Sequence, residues 1–485
     1  MYMIRLSNKH MKTMKGTAIA YALAIMTVVM ILLTSILNFI ASQLQYSFKQ
    51  NDREQALQIA EAGIHFYKWY LAHQLDGRTA SQVNAFWTST SPAPLGVGST
   101  YTGSFANGEY SILVEKPDPS DTIVYIESTG WTTATSGLKR KIKVRLRRPS
   151  WSENAVMSNM AVRFGVGTEV FGPIHSNNGI RFDGLAHNLV TSSVDEYNDP
   201  DHSDNNEEFG VHTHINVPPA TGMNNSFRPA EASPNAVSDR TDVFEAGREF
   251  PVAPVDFNGV LGDLSLMKSE AQAGTNGSLY FNNDNQGRHI ILNGTSFTIQ
   301  TVKSFISSTN MINKYDGGVT SYDIPDNGII FVENNVWLEG AVNGRRVTIV
   351  AANLISESQK TMYLGKDVRY GSIDCDNMIG LIGQKDVEIY RESNNILRID
   401  ASLLAQTGRV GRASYTGTSA MRDTITIYGA IASNKRYGFS WVDNEGNHVS
   451  GYATRNLYYD NNLLYCPPPY FPTGSQYTLD LWEEL

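Results

Sequence analysis

Cysteine is scarce in this chain, and so is charge. The 485 residues contain two cysteines, Cys375 and Cys466, and only 18% Asp, Glu, Lys and Arg. Two cysteines exclude a disulfide-framed scaffold. Far apart in sequence, they read as two buried free thiols, with a bridge as the alternative open to an exported chain. Positive charge is also short: the net charge is −9, which argues against a surface built for nucleic acid or for anionic lipid. No Gly-x-Ser-x-Gly and no phosphate loop occurs, and Gly165-Val166-Gly167 reads as a β-turn. What is plentiful is Asn, Gly, Thr and Ser, a balance that suits an extracellular β-rich protein.

Charge is absent from one stretch altogether. Met1 to Lys15 carries Arg5, Lys9, Lys12 and Lys15 and no acid, and the run that follows, Gly16 to Phe48, is uncharged. Between Thr17 and Leu37 the residues are almost all Ala, Ile, Leu, Met and Val, with Tyr21 among them. About twenty residues at a rise of about 1.5 Å span the roughly 30 Å of a bilayer core. The basic leader places residues 1–16 in the cytoplasm and everything beyond about residue 50 outside. A secretory signal would have a shorter apolar region and a small-x-small cleavage site, which Phe39-Ile40-Ala41-Ser42 does not supply. A plain transmembrane anchor and a prepilin, cut before the apolar run, remain. Lys15-Gly16-Thr17 fits the prepilin pattern.

The helix does not stop at the membrane. Ala56, Ile59, Ala60, Gly63, Ile64, Tyr67 and Leu71 recur at the spacing of one helical face. A helix over 17–75 would be about 90 Å long. Gly63 inside it costs about 1 kcal/mol relative to Ala, a cost that makes sense if a sheet approaches the Ala60/Gly63 face closely. With its basic leader, Gly16, apolar run and Ala60-Glu61-Ala62-Gly63, this N-terminal part resembles the PilX type of minor pilin and the pseudopilin-like surface proteins. The resemblance implies processing by a prepilin peptidase at Lys15, Gly16 and Thr17, and packing against other pilin-like subunits. It departs from most pilins at the fifth mature position, where Tyr21 stands in place of Glu.

Residues 76–104 read as a loop region. Glu109–Glu115, Thr122–Glu127 and Leu138–Arg147 read as strands, with turns at Pro117-Asp118-Pro119 and Ser128-Thr129-Gly130. In the third, Lys139, Lys141, Lys143, Arg145 and Arg147 alternate with Arg140, Ile142, Val144 and Leu146, so an apolar face meets a core and a basic face meets solvent. A nucleic-acid or lipid role for that stripe is the lesser alternative. Residues 76–149 thus make a small α+β pilin-like head.

After Pro149 short apolar bursts are separated by Gly and Asn. They include residues 161–165, 170–175, 179–184, 328–332, 336–340, 346–350, 378–383, 387–390, 397–400 and 424–429. Residues 150–485 are expected to form a right-handed parallel β-helix, with a β-sandwich as the competing all-β fold. Asn334-Asn335, Asn394-Asn395 and Asn461-Asn462 are candidate corners with side-chain ladders. Residues 195–258, poor in apolar runs, read as a loop excursion, followed by a short helix near 260–273 and strands at 278–281 and 288–292. Tyr458, Tyr459, Tyr465, Tyr470, Phe471 and Trp482 read as a cap on the last rung, and Pro467-Pro468-Pro469 as a segment blocking edge pairing.

Candidate chemistry is thin. His212-Thr213-His214, after Asp195, Glu196, Asp199, Asp201, His202, Asp204, Glu207 and Glu208, offers ligand types that a divalent metal accepts, yet acidic loops are usually solvated, so no metal is assigned. Asp374, Asp376, Lys385, Asp386 and Glu388 are the groups a carbohydrate enzyme on a β-helix would use. No catalytic residue and no cofactor is assigned. The reading is a prepilin-like protein held in the cytoplasmic membrane by one helix, its bulk outside, acting at a filament tip, in assembly, or in adhesion to surface glycans or other cells, with no nucleic-acid partner. The rival is a surface-anchored polysaccharide lyase or hydrolase.

Overall fold

The computed structural model describes residues 15–75, 78, 80–117, 123–202, 205–257, 260–355, 358–443, 447–474 and 477–485. Leader residues 1–14 and the predicted Asp118, Pro119 and Asp204 lie outside the described residues. The chain is mostly β, with one long N-terminal helix, α1 (Lys15–Leu75). Residues 17–50 of α1 are exposed throughout. Its second half buries Ala56, Ile59, Ala60, Ile64, Tyr67, Leu71 and Leu75, the predicted face. Each such Ile or Leu is worth about 1.5–3 kcal/mol when fully buried.

That face lies on an antiparallel sheet made of β1 (Tyr101–Phe105), β2 (Gly108–Glu115), β3 (Ile123–Thr132) and β4 (Lys139–Arg147). Ile112, Val114, Val124, Ile126, Ile142, Val144 and Leu146 point inward, as alternation requires. Three expectations fail here. The region read as a loop contains a helix, α2 (Ala80–Thr88), and β1; Val83 and Trp87 anchor α2 in the core. Ser128-Thr129-Gly130 is not a turn but the middle of β3. Gly130 is there for proximity: a Cβ on it would stand 2.3 Å from the Ala56 carbonyl oxygen and 2.4 Å from the Ala60 nitrogen. A Cβ on Gly63 would meet Ser128 Oγ at 2.4 Å, so the predicted close approach is present. The third failure concerns the end of the chain. The strand Thr478–Glu484 returns to this sheet and pairs antiparallel with β4, Thr478 opposite Arg147 and Trp482 opposite Val144. Trp482 therefore caps no rung. The basic stripe of β4 is not simply solvated either, because the returning strand brings Asp480 to Arg145 (2.9 Å) and Arg147 (2.8 Å); Arg140, which alternates with the stripe, pairs with Glu484.

The larger part of the chain consists of parallel ladders. One runs through Leu279–Phe281, Ile329–Val332, Arg346–Ala351, Met378–Gly383, then residues 402–405 and 431–433, then Val156–Ser158, Ile174–Ser176, Val190–Ser192 and Arg248–Glu249. A second passes through residues 340–342, 368–370, 396–399, 424–429 and 454–459 to Glu169–Phe171 and Leu185–Ala186. A third ladder is in two parts, Val162–Phe164 with Ile180–Phe182 and Val211–His212, and residues 362–364 with Val387–Ile389 and Val410–Arg412. Parallel pairing is not the arrangement of an antiparallel sandwich. Alternate residues of all three ladders, among them Ile174, Val190, Ile349, Leu381, Leu403, Val170, Ile427, Ile180 and Val387, fill one core.

The order of the first ladder is not the order of the chain. Val156–Ser158, the first strand after β4, lies in the middle of the stack, between residues 431–433 and Ile174–Ser176. The chain runs from there to one end, crosses by way of α3 (Val260–Ala273) to the other end, and works back to its starting point. On the crossing, Leu264, Met267 and Ala271 of α3 cover an outward apolar column of Phe331, Val350, Ile382, Leu404, Ala432 and Met157. Phe471 joins this cover, and Arg346 Nη2 and Thr348 Oγ1 donate to the carbonyls of Pro467 and Pro469. The proline segment therefore lies across a face and blocks no edge.

Three more expectations are corrected. Cys375 and Cys466 are bridged, with Cα atoms 5.5 Å apart, not free thiols; the C-terminal segment crossing the ladder brings them together. Residues 195–258 are not a simple excursion, since Val211–His212 and Arg248–Glu249 add rungs to two ladders. The asparagine ladder forms elsewhere: Asn177 Nδ2 donates to Asn159 Oδ1 and Asn159 Nδ2 to Asn434 Oδ1, each at 2.9 Å. Asn334, Asn335 and Asn395 instead make contacts with neighbouring backbone. Among the described residues, the left-handed asparagines are Asn276, Asn285 and Asn310.

The α1–β3 contact gives a test. Gly130→Ala, overpacked against helix backbone, should destabilise the head by about 1–3 kcal/mol. Gly137→Ala, whose Cβ meets nothing within 4 Å, should change stability by no more than about 0.5 kcal/mol. Hydrogen exchange of β2–β4 amides in the detergent-solubilised chain measures both, and equal effects would contradict the close-packing account.

Candidate functional site

Two places in the chain concentrate functional features. The first is the stem. Among the described residues, α1 alone is long and apolar enough to cross a membrane. Lys15 and Gly16 open it, Thr17 follows, and Tyr21 is 71% exposed within the first turns. The apolar half is exposed and continuous with the half that packs on the head.

The second place is the segment that reads as an acidic loop. Arg163, Arg181 and His212 are in register on the third ladder, and their neighbours Val162, Phe164, Ile180, Phe182 and Val211 point into the core. By alternation the first three point outward, yet Arg181 and His212 are fully buried. The cover is the antiparallel pair Glu196–Asn198 and Glu207–Phe209, which brings Asp199 and Glu208 over the column. His214, two residues past His212 in extended chain, falls on the same side.

Four donor atoms converge there. Glu208 Oε2 lies 3.0 Å from His212 Nε2 and 3.0 Å from His214 Nε2, and Asp199 Oδ2 lies 3.6 and 3.9 Å from the same two nitrogens. All four donors are within 4.8 Å of one another, and all four residues are buried. His202 Nε2 approaches Glu208 Oε2 at 3.1 Å. On the far side of each ring, His212 Nδ1 faces the Phe209 carbonyl at 3.2 Å and His214 Nδ1 the Asn224 carbonyl at 2.7 Å. Glu208 Oε1 accepts from the Arg228 amide at 2.6 Å, and Asp199 Oδ1 from the Asp201 amide at 2.9 Å. Arg181 bridges Asp183 at 2.7 Å and Asp199 at 3.4 Å. Burial would raise the carboxyls of Asp199 and Glu208, but His212 beside both, with the Asp201 amide and Arg181 at Asp199 and His214 at Glu208, outweighs it and holds both far below the usual range. Burial likewise opposes charge on His212, and the same two carboxylates overcome it, raising the imidazole to about 9.

Asp195, Glu196, Asp201 and Glu207 do not join. Glu196 accepts from the Ser233 amide, the Asp195 carbonyl from the Gly210 amide, and Asp201 pairs at the rim with Arg436 and Arg163. Glu207 is exposed. Arg163, Arg181 and Asp183 were not among the sequence candidates; an arginine at the outward position of a strand carries no signal that a second layer will bury it.

The candidate carbohydrate-enzyme residues divide between the two ends of the strand Met378–Gly383. Asp374 and Asp376 sit in the turn before it, where Asp374 Oδ1 accepts from Asn377 Nδ2 at 2.7 Å. Beyond its other end, Asp386 accepts from the Arg409 amide, and Lys385 lies 3.6 Å from Asp386. Glu388 is buried, accepts from the Ala413 amide at 2.6 Å and has Arg409 at 3.6 Å. Of the C-terminal aromatics, Tyr459 is buried in the core, whereas Tyr458 stacks outward on Phe171 (5.4 Å), itself stacked on His187 (4.0 Å).

Glu388 supplies a pH test. Burial pushes its carboxyl up to about 7, above its value in the unfolded chain. Stability from this group is therefore complete below about pH 4.5 and lost as pH rises through 7. Glu388→Gln should leave thermal stability at pH 4.5 nearly unchanged and raise it at pH 8, by up to about 3 kcal/mol. A variant equally or less stable at pH 8 would contradict this.

No family model matches this chain, and no curated protein matches it. Among solved structures it is similar to the crystal structure of competence-associated pilin ComZ from Thermus thermophilus, with 12% identity, covering 90% of this chain and 97% of that one, at a TM-score of 0.29. A similarity that distant carries no weight for either fold or activity.

Proposed function

We propose that this chain is a pilin-like, membrane-anchored subunit that displays a large β-helical domain outside the cell. The observation that carries the reading is the division of α1: an apolar, exposed first half continuous with a second half packed on an antiparallel sheet. A plain anchor needs no such continuity, whereas a subunit that buries its stem among others of its kind needs a rigid one. The PilX-type features around Gly16 and residues 60–63 belong to the same reading, with prepilin peptidase cutting between Gly16 and Thr17.

The parallel ladders support a β-helix as the displayed domain, and the right-handed form is the proposed one. Its proposed role is recognition without catalysis, with surface glycans or other cells as partners. The outward stack of Tyr458, Phe171 and His187 supports this, since flat rings offer the apolar faces against which sugar rings pack. A surface-anchored lyase or hydrolase would need carboxylates converging with Arg or Lys in one groove, and the predicted set is split between two ends of a strand.

Tyr21 bears on position within a filament. A Glu in an apolar segment is costly in the bilayer unless paired, and a neighbour's N-terminal ammonium is the partner the pilin pattern implies. Tyr21 carries no carboxylate with which to supply that charge. The proposed place is therefore the tip, where no earlier subunit has to be matched, at low copy number.

Mass spectrometry of the protein from its native cells should find Thr17 at the N-terminus; an intact Met1, or a start beyond residue 38, would overturn the prepilin reading. Immunogold labelling against residues 150–485 should mark filament ends, and regular decoration along the shaft would overturn tip placement.

A further inference from the structure

We propose that Asp199, Glu208, His212 and His214 form a buried, four-coordinate site for a divalent cation of the zinc class.

The argument begins with the imidazoles. A carbonyl oxygen only accepts, so the Nδ1 atoms of His212 and His214, facing the carbonyls of Phe209 and Asn224, must both carry hydrogen. In the neutral rings this leaves both Nε2 atoms as lone pairs, and both are aimed at the oxygen of an ionised carboxylate 3.0 Å away. Two lone pairs against one anionic oxygen repel unless something positive lies between them. His212 Nε2 is buried without a hydrogen-bond partner. Protons can fill the gap only by making two imidazolium rings, with centroids 5.1 Å apart, next to the buried guanidinium of Arg181. A single divalent ion satisfies all four donors at once.

The dimensions agree. Tetrahedral zinc with bonds of about 2.0–2.2 Å to nitrogen and carboxylate oxygen has donor–donor edges of about 3.3–3.6 Å. The four nitrogen–oxygen edges here, 3.0, 3.0, 3.6 and 3.9 Å, bracket that range. The outer contacts are those that orient metal ligands: each imidazole donates its other nitrogen to a backbone carbonyl, and each carboxylate accepts a backbone amide on its second oxygen. Charge agrees as well. The fully buried groups are three carboxylates (Asp183, Asp199 and Glu208) and one guanidinium (Arg181), a deficit of two positive charges. Arg163 and Arg436 stand at the partly exposed rim and are shared with Asp201. Two imidazoles favour zinc, nickel or copper over calcium or magnesium. With every donor buried, the site is closed and therefore structural, binding the Glu196–Phe209 layer to the third ladder. His202, 3.1 Å from Glu208, is placed to hold that carboxylate in position.

The test uses the full chain in detergent, purified without a polyhistidine tag. After incubation with zinc sulfate and desalting, elemental analysis should find about one zinc per chain, and chelation should lower the melting temperature reversibly. Substituted Co2+ should give the intense visible bands of tetrahedral coordination. Asp199→Asn, close to isosteric, should raise the zinc dissociation constant at least about tenfold, and the double variant His212→Ala/His214→Ala should retain no zinc. Asp284→Asn/Asp316→Asn, which alters an acidic surface groove elsewhere, should bind zinc as the wild type does. Background zinc in the loaded wild type, an octahedral Co2+ spectrum, or unchanged affinity in Asp199→Asn would each overturn the proposal. The wild-type measurements decide the matter even if the double variant fails to fold.

Discussion

The antiparallel pairing of the last strand with β4 is the constraint on which the rest of the architecture depends. It requires the chain to leave the head at Arg147 and to return at Thr478, directly opposite. Everything between, more than half of the protein, must start and finish at one point. A stack of parallel rungs built strictly in chain order would end far from where it began. The chain solves this by entering in mid-stack, so that Val156–Ser158 is flanked by a strand from each half of the body. The crossing segment with α3 follows from that choice, and so does the cover it provides over Phe331, Val350, Ile382 and Leu404. The two legs are then joined to each other: the Trp151 amide donates to the Pro472 carbonyl at 2.9 Å and the Gly474 amide to the Pro149 carbonyl at 2.8 Å.

Legibility in the sequence follows the range of the interactions. The stem could be read because its signals are local: an uncharged apolar run, then Ala56, Ile59, Ala60 and Ile64 at helical spacing. Ile142, Val144 and Leu146 gave the inner face of β4 for the same reason. The short apolar bursts of the body located many of its strands, but not their neighbours. Asn159 bonds Asn434 across 275 residues, and nothing near either position announces the other. Cys375 and Cys466 illustrate the same limit, since their meeting depends on the route of the C-terminal segment over the first ladder. Gly130 reads as a turn because glycine marks both turns and close approaches, and only the partner helix tells them apart.

The acidic segment was half legible. Its ligand types were visible, and the His212-Thr213-His214 spacing places two rings on one side of an extended chain. Its burial was not visible, because a segment poor in apolar residues looks solvated when read alone. Burial comes instead from its placement as a second layer over outward-facing Arg181 and His212. Polar side chains there are enclosed by one another, as Arg181 with Asp183 and Asp199, and enclosed charges must be paired. The segment is a polar core that lies outside the apolar one.

The double connection between head and body has a mechanical consequence. A domain hung from one strand can swivel about a single bond, and any pull on it is borne by that one connection. Here two legs leave the sheet side by side from the same end of a strand pair, Arg147 opposite Thr478. Tension applied to the body draws both strands in the same direction, so it does not slide one past the other. The load divides between the two legs, and torque meets a pair of anchored cords instead of a free pivot. The orientation of the body is thus coupled to the axis of α1.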